Sequence, residues 1–237
     1  MKIPKLSFNL DPEYDANIAW NFYNHKTFAG TDFWKKGALE NHNKLIKLEN
    51  IKNKKIFLKK YVNNIYTSNS TNFLLRKKDI EQLYADKQKQ FFSTSNDLFK
   101  NHPWPSGVYK CYLSIFNFCP RFLETKKFFV FMYDEDNIIL FTIIHEMLHF
   151  IFYDYCNKKY KDIFITKDTE KGQFWEIAEV FNMTVQQTQP FIDLHHEINF
   201  SDYPKLNALK LESKKMWDGD VDNWIKNFAI PYMLKHK

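Results

Sequence analysis

The sequence predicts an α+β fold, mainly helical, with a small antiparallel or mixed sheet. Three observations predict it. Through the first hundred residues, apolar side chains recur at roughly helical spacing. Residues 108–118 and 128–133 then alternate in part and are rich in Tyr, Phe, Ile and Val, as strands are. From residue 138 onward the pattern returns to helices, the first of them apolar on nearly every face. Helices, then strands, then helices suit an α+β domain better than alternating β–α units. A chain of 237 residues makes one large domain or two small ones. The change of character near Asn101 separates a mainly helical region, 1–100, from a core with C-terminal helices, 101–237, unless both form one compact domain.

The elements follow in order. Asp11-Pro12-Glu13 is a helix start, with Asp11 as N-cap and Pro12 at the first helical position, where its missing N–H is no loss. Residues 14–23 continue it. Residues 41–66 and 77–92 each carry apolar and charged residues at helical spacing. The run Asn101-His102-Pro103-Trp104-Pro105-Ser106-Gly107 stops that pattern, because Pro and Gly prevent helix continuation. The two strands come next. Asp134-Glu135-Asp136-Asn137 is a turn that can cap the apolar helix over 138–155. Residues 169–172 read as a loop, 173–187 as a helix, and 203–217 and 221–228 as final helices. No internal repeat or flexible linker interrupts the chain.

Composition excludes several classes. With 44% hydrophobic and 18% aromatic residues, the chain can bury a sizeable core and is not disordered by composition. The net charge of +6 is mild and spread out. Its basic pieces, at 52–60 and 76–78, are interrupted or short, so they read as a solvated face and nucleic acid is not an expected partner. Three cysteines, Cys111, Cys119 and Cys156, are an odd number without a CxxC. They read as ordinary thiols in a reducing compartment, not as a disulfide framework or zinc knuckle. The first residues hold no long apolar segment of a secretory signal. The run 138–152 is broken by His145, Glu146 and His149 and reads as too short and too polar for a bilayer. A cytoplasmic protein without membrane contact is expected. His25, His42, His102 and His236 show no ligand spacing and read as surface residues.

The chemistry centres on Ile143-Ile144-His145-Glu146-Met147-Leu148-His149-Phe150. Two histidines four apart share one helix face and can reach one metal ion. Glu146 is the next residue round the helix, where a general base must sit. The apolar neighbours would bury the helix and hold the ligands rigidly. Burying three ionisable groups in such a helix without a partner is costly, which argues against an incidental match.

These residues resemble the zincin metallopeptidases, whose metal helix carries this pattern. The resemblance covers roughly residues 108–200. It implies a fold in which the sheet packs on the metal helix, with residues 128–133 as a candidate for the edge strand that aligns a peptide. It implies Zn2+ as cofactor and a peptide or protein as substrate. It also implies that Glu146 draws a proton from the attacking water and passes it to the leaving amine. The metzincin branch would need Gly at 152 and His at 155, where this chain has Phe152 and Tyr155. The gluzincin branch takes its third ligand, a glutamate, from a second helix. Residues 174–182 offer Glu176 and Glu179 on an otherwise apolar helix. Periodicity alone does not separate them. Glu179 is preferred because Asn182 follows one turn later on the same stripe, where gluzincins often place a polar support. The branch's usual Asn-Glu start and Asp four residues after the ligand are both missing. His145, His149 and Glu179 are therefore the expected metal ligands. His195, His196 or Tyr203 is a candidate for stabilising a developing oxyanion. Tyr153, Asp154 and Tyr155 read as the close of the metal helix. The alternative is a non-catalytic zinc-containing module that binds nucleic acid or protein, with His195 or His196 as a fourth ligand.

Overall fold

A computed structural model describes residues 3–196 and 203–235. Its elements run β1 (Leu6–Asn9), α1 (Pro12–Asn24), β2 (Thr27–Phe28), β3 (Thr31–Asp32), α2 (Lys54–Ser68), α3 (Ser70–Leu98), β4 (Tyr109–Ser114), β5 (Arg121–Phe122) and β6 (Lys127–Phe131). Then follow α4 (Asp136–Lys159), α5 (Lys161–Phe164), α6 (Gln173–Val185), α7 (Gln189–His195), α8 (Asn207–Met216), α9 (Val221–Trp224) and α10 (Ile230–Lys235). The protein is mainly helical with a small mixed sheet, an α+β fold.

The chain forms two compact units, and each draws on both sides of residue 100. One consists of Lys5–Ala85 with Val108–Ile139; the other contains Asp86–Gly107 and Leu140–Lys237.

The first unit holds the sheets. Its main sheet has the order β1-β4-β6-β5. β1 pairs parallel to β4 and β4 parallel to β6, while β5 runs antiparallel to β6. β1 arises inside the region that the sequence reads as helical. At four residues, of which only Phe8 is buried, it is too short to leave a period. The strand expected at the sheet edge, β6, lies instead between β4 and β5, although β5 pairs only with Lys127 and Phe128. Asp11 caps α1 as expected, accepting a bond from the Tyr14 N–H at 2.9 Å. The segment 41–66 divides into a 3-10 stretch, Asn43–Asn50, and α2. The segment 77–92 is the middle of the longer α3. Gly37 fits where no side chain would, since a Cβ there would stand 2.7 Å from the Asn117 carbonyl oxygen. His42 is a correction to the surface reading. It is buried, lies 3.0 Å from the Tyr61 hydroxyl and 2.8 Å from the Ile115 carbonyl, and burial lowers its pKa. Its polar sequence neighbours carry no sign of this, because the partners come from distant segments. His25 is exposed as expected, and His236 lies outside the described residues.

The second unit is helical. Phe152, Phe174, Phe181 and Trp224 form an aromatic centre, with Phe152 stacked on Phe181 at 4.3 Å. Asp222 ties it together, accepting from the Tyr155 and Tyr160 hydroxyls and from Lys100 and Lys159. His102 is partly buried and paired with Asp154 at 2.7 Å, a second departure from the surface reading. None of the three cysteines forms a disulfide; Cys111 and Cys156 are buried and Cys119 partly so.

Candidate metal centre

The helix that carries His145 and His149 is longer than its apolar pattern suggests. α4 has 24 residues and is, by length and composition, apolar enough to cross a membrane, which corrects the reading of that run as too short. Yet 78% of its apolar window is buried inside the protein, the condition of a core helix. Arg76 holds the turn before it. The guanidinium donates to the Met132 and Asp134 carbonyls and to the Asp136 carboxylate. Asp136 is in the first turn of α4, and Lys158 and Lys159 lie in its last turn. Each sign of charge complements the helix dipole.

Within the second unit α4 and α6 bring three predicted ligands together. Four residues apart, His145 and His149 project from one face, and their Nε2 atoms are 3.0 Å apart. Glu179 reaches both, with one oxygen 3.3 Å from His145 Nε2 and the other 3.3 Å from His149 Nε2. These are the only metal-competent cluster of three or more among the described residues, with ligand atoms within 4.8 Å of one another. Burial alone would raise the Glu179 carboxyl. The charge of His149 and the hydrogen bonds from both imidazoles outweigh it and hold the carboxyl well below the ordinary carboxylate range.

Glu176 goes elsewhere. Three residues earlier on α6, it accepts the Tyr232 hydroxyl at 2.7 Å. Periodicity could not separate the two glutamates because α6 is buried nearly all round, from Phe174 to Val185. Only the neighbour of each face distinguishes them. Asn182 is buried and donates to the His145 carbonyl at 3.0 Å, so the stripe shared by Glu179 and Asn182 faces α4.

The cluster is closed on most sides. The His149 side chain is 0% exposed and that of Glu179 4%, while His145 keeps 14%, so the centre opens at His145. Glu146, the next residue along α4, is 5% exposed. The Tyr153 ring lies along His149 at 5.8 Å and its hydroxyl donates to the Thr169 carbonyl. Phe141 contacts both His145, at 5.9 Å, and His195, at 5.1 Å.

The three oxyanion candidates part company. His195 is buried on α7, a helix that the sequence reading did not identify because its seven residues leave little periodicity. Burial lowers its pKa to about 4, against a hydrogen bond to the Gln186 backbone that favours the charged ring. The neutral imidazole has one N–H, and the Gln186 carbonyl accepts it, leaving none for an oxyanion. His196 is exposed with φ 57°, and Tyr203 packs its ring on Trp175 at 5.0 Å.

One contact of the centre has no counterpart in the sequence reading. Gln186, buried just past the end of α6, places its side-chain amide 3.0 Å from His145 Nδ1. Glu179, Asn182 and Gln186 share one stripe at spacings of three and four. Polar residues recurring on an otherwise apolar helix are the signal that would have found it.

The donor set suits zinc. Four tetrahedral ligands at zinc's bond lengths of ~2.0–2.1 Å stand about 3.3 Å apart. The three separations here, 3.0, 3.3 and 3.3 Å, match that spacing. Two imidazoles and one carboxylate are also a known catalytic zinc set. Comparison with family models, curated proteins and solved structures gave no match.

Proposed function

We propose that the protein is a zinc-dependent hydrolase of the gluzincin-like zincin type, most simply a peptidase. The zincin-like form of the fold belongs to the same proposal. The observation that carries it is the closed triangle of His145, His149 and Glu179; Glu146, buried, follows His145 directly along the helix. A structural zinc would use four protein ligands, whereas a catalytic one uses three and leaves a position open. Among the described residues the group has three members, and neither His195 nor His196 joins it.

When bound, zinc supplies Lewis acidity that polarises a carbonyl and lowers the pKa of a water towards neutrality. His145, His149 and Glu179 would hold it. The apolar packing of α4 and α6 keeps these side chains in place. Glu146 takes a proton from the attacking water and later gives it to the leaving amine. Tyr153 and Phe141 shield the imidazoles from bulk solvent.

The first experiment is metal analysis by mass spectrometry on the purified full chain beside the double variant His145→Ala/His149→Ala. One zinc per native chain, absent from the variant, is expected. A native protein that neither carries nor takes up zinc removes the reading. A peptide-library screen then compares native protein with Glu146→Gln. The variant keeps its zinc and loses roughly 10²–10⁴-fold in cleavage rate, the usual contribution of a general base. Full activity in that variant excludes Glu146 as the base.

A further inference from the structure

We infer that Gln186 is a positioning residue for the centre, setting which nitrogen of His145 carries the ring proton. The inference rests on the zinc reading and goes beyond it to a residue that the ligand pattern does not contain.

Three observations carry it. The Gln186 side chain is fully buried and its amide lies 3.0 Å from His145 Nδ1, the nitrogen turned away from the cluster. Its own Oε1 has no hydrogen-bond partner. Its backbone carbonyl bonds the ring of His195. Gln186 is the residue on which α6 ends, its N–H bonding back to Asn182, and carbonyls in the last turn have no partner within the helix.

A primary amide can present either end to an imidazole. With the amide nitrogen toward Nδ1, that nitrogen accepts, and the ring proton sits on Nε2, inside the cluster. With the oxygen toward Nδ1, the Nδ1–H donates to Oε1, and the Nε2 lone pair faces Glu179 and His149. Only the second state lets His145 act as a ligand. A turn of the amide therefore gives the unpartnered oxygen its bond and frees the ligand atom together. The site needs such a support at this place. Four residues after Glu179, where an acidic support would stand in the gluzincin pattern, this chain has buried Met183. Gln186 reaches the same ring from two turns along α6, while Asn182 at one turn holds the His145 main chain.

Two variants and one spectrum test this on the full chain. Gln186→Met keeps the volume and removes both ends of the amide. Gln186→Glu keeps an oxygen acceptor. Zinc affinity, read by competition with a chromophoric chelator, is expected to fall about 10–100-fold in Gln186→Met, the usual cost of losing a partner behind a ligand. Gln186→Glu is expected to stay within a few-fold of native. The Co2+-substituted absorption spectrum shifts in the Met variant and not in the Glu variant, a change that a merely structural role would not produce. Native affinity in Gln186→Met, or equal loss in both variants, overturns the inference. Should the Met variant fail to fold, 15N–1H imidazole spectra of the metal-free native protein, taken where His145 is neutral, decide. A proton on His145 Nδ1 is expected; a bare Nδ1 overturns the assignment. These results stay distinct from failure of the zinc reading, in which the native protein itself binds no zinc.

Discussion

Each of the two units buries a carboxylate, and the two surroundings move its pKa in opposite directions. In the helical unit Glu179 meets two imidazoles and is held well below the ordinary range. In the sheet unit Asp15, 1% exposed on α1, is pushed up to about 6. Burial is its largest influence, opposed by bonds from the Ser114 hydroxyl, the Ile115 N–H at 3.1 Å and the Tyr66 hydroxyl at 2.9 Å. Both groups are satisfied, so hydrogen bonding does not separate them. The difference is that the partners of Asp15 are neutral, while those of Glu179 can carry positive charge or share a cation with it. A buried carboxylate beside neutral donors can only be hydrogen-bonded; one beside two imidazoles can also share a cation with them.

The largest break in that comparison is Glu179→Gln. Removing the charge while keeping the shape should lower zinc affinity by more than ~100-fold, beyond the loss expected for an outer partner. Chelator competition measures it, and native affinity in the variant would eliminate Glu179 as a ligand.

Next comes pH. Because the folded-state pKa of Asp15 is raised, the folded state binds the proton more tightly than the unfolded chain. Its contribution is then fully present below the ordinary aspartate pKa and is lost as pH rises through about 6. The loss amounts to about 3 kcal/mol in order of magnitude. Glu179 has the opposite sign in the metal-free protein: its contribution is present above the ordinary glutamate pKa and fades as pH falls. Urea unfolding between pH 4 and 7 should therefore show a decline in native protein that Asp15→Asn flattens. Parallel curves for the two proteins would mean that Asp15 titrates as an exposed group does.

The smallest effect sharpens the choice between glutamates. Glu176→Gln should leave zinc affinity unchanged and weaken only the bond from Tyr232, costing about 1 kcal/mol. Tyr232→Phe should cost a similar amount. Thermal melting reads both, and a loss of zinc in Glu176→Gln would reverse the assignment of the two residues.

Much of this was legible in the sequence, and for local reasons. The Asp11 cap, the two longer strands, the apolar helix and the pairing of His145 with His149 depend on residues within a turn or two of one another. A period of 3.6 or 2 and the chemistry of Pro and Asp report them directly. The segments that left no trace are short: β1, β5 and α7 have four, two and seven residues. Buried His42 likewise depends on Tyr61 and Ile115, far from it in the chain.

By itself the sequence determined the α+β class, the helix that presents two imidazoles and an adjacent carboxylate, and the two glutamates that are candidates to join them. Spacing along one helix is set by covalent geometry, so no tertiary information is needed for it. Tertiary structure alone decided that Glu179 faces the imidazoles while Glu176 faces Tyr232, that the His195 ring is hydrogen-bonded to the Gln186 main-chain carbonyl, and that Gln186 stands behind His145. α6 is apolar and buried on nearly every side, so its pattern does not say which face meets which neighbour. That is settled by how α6 packs against α4 and α10, a relation between segments distant in the chain.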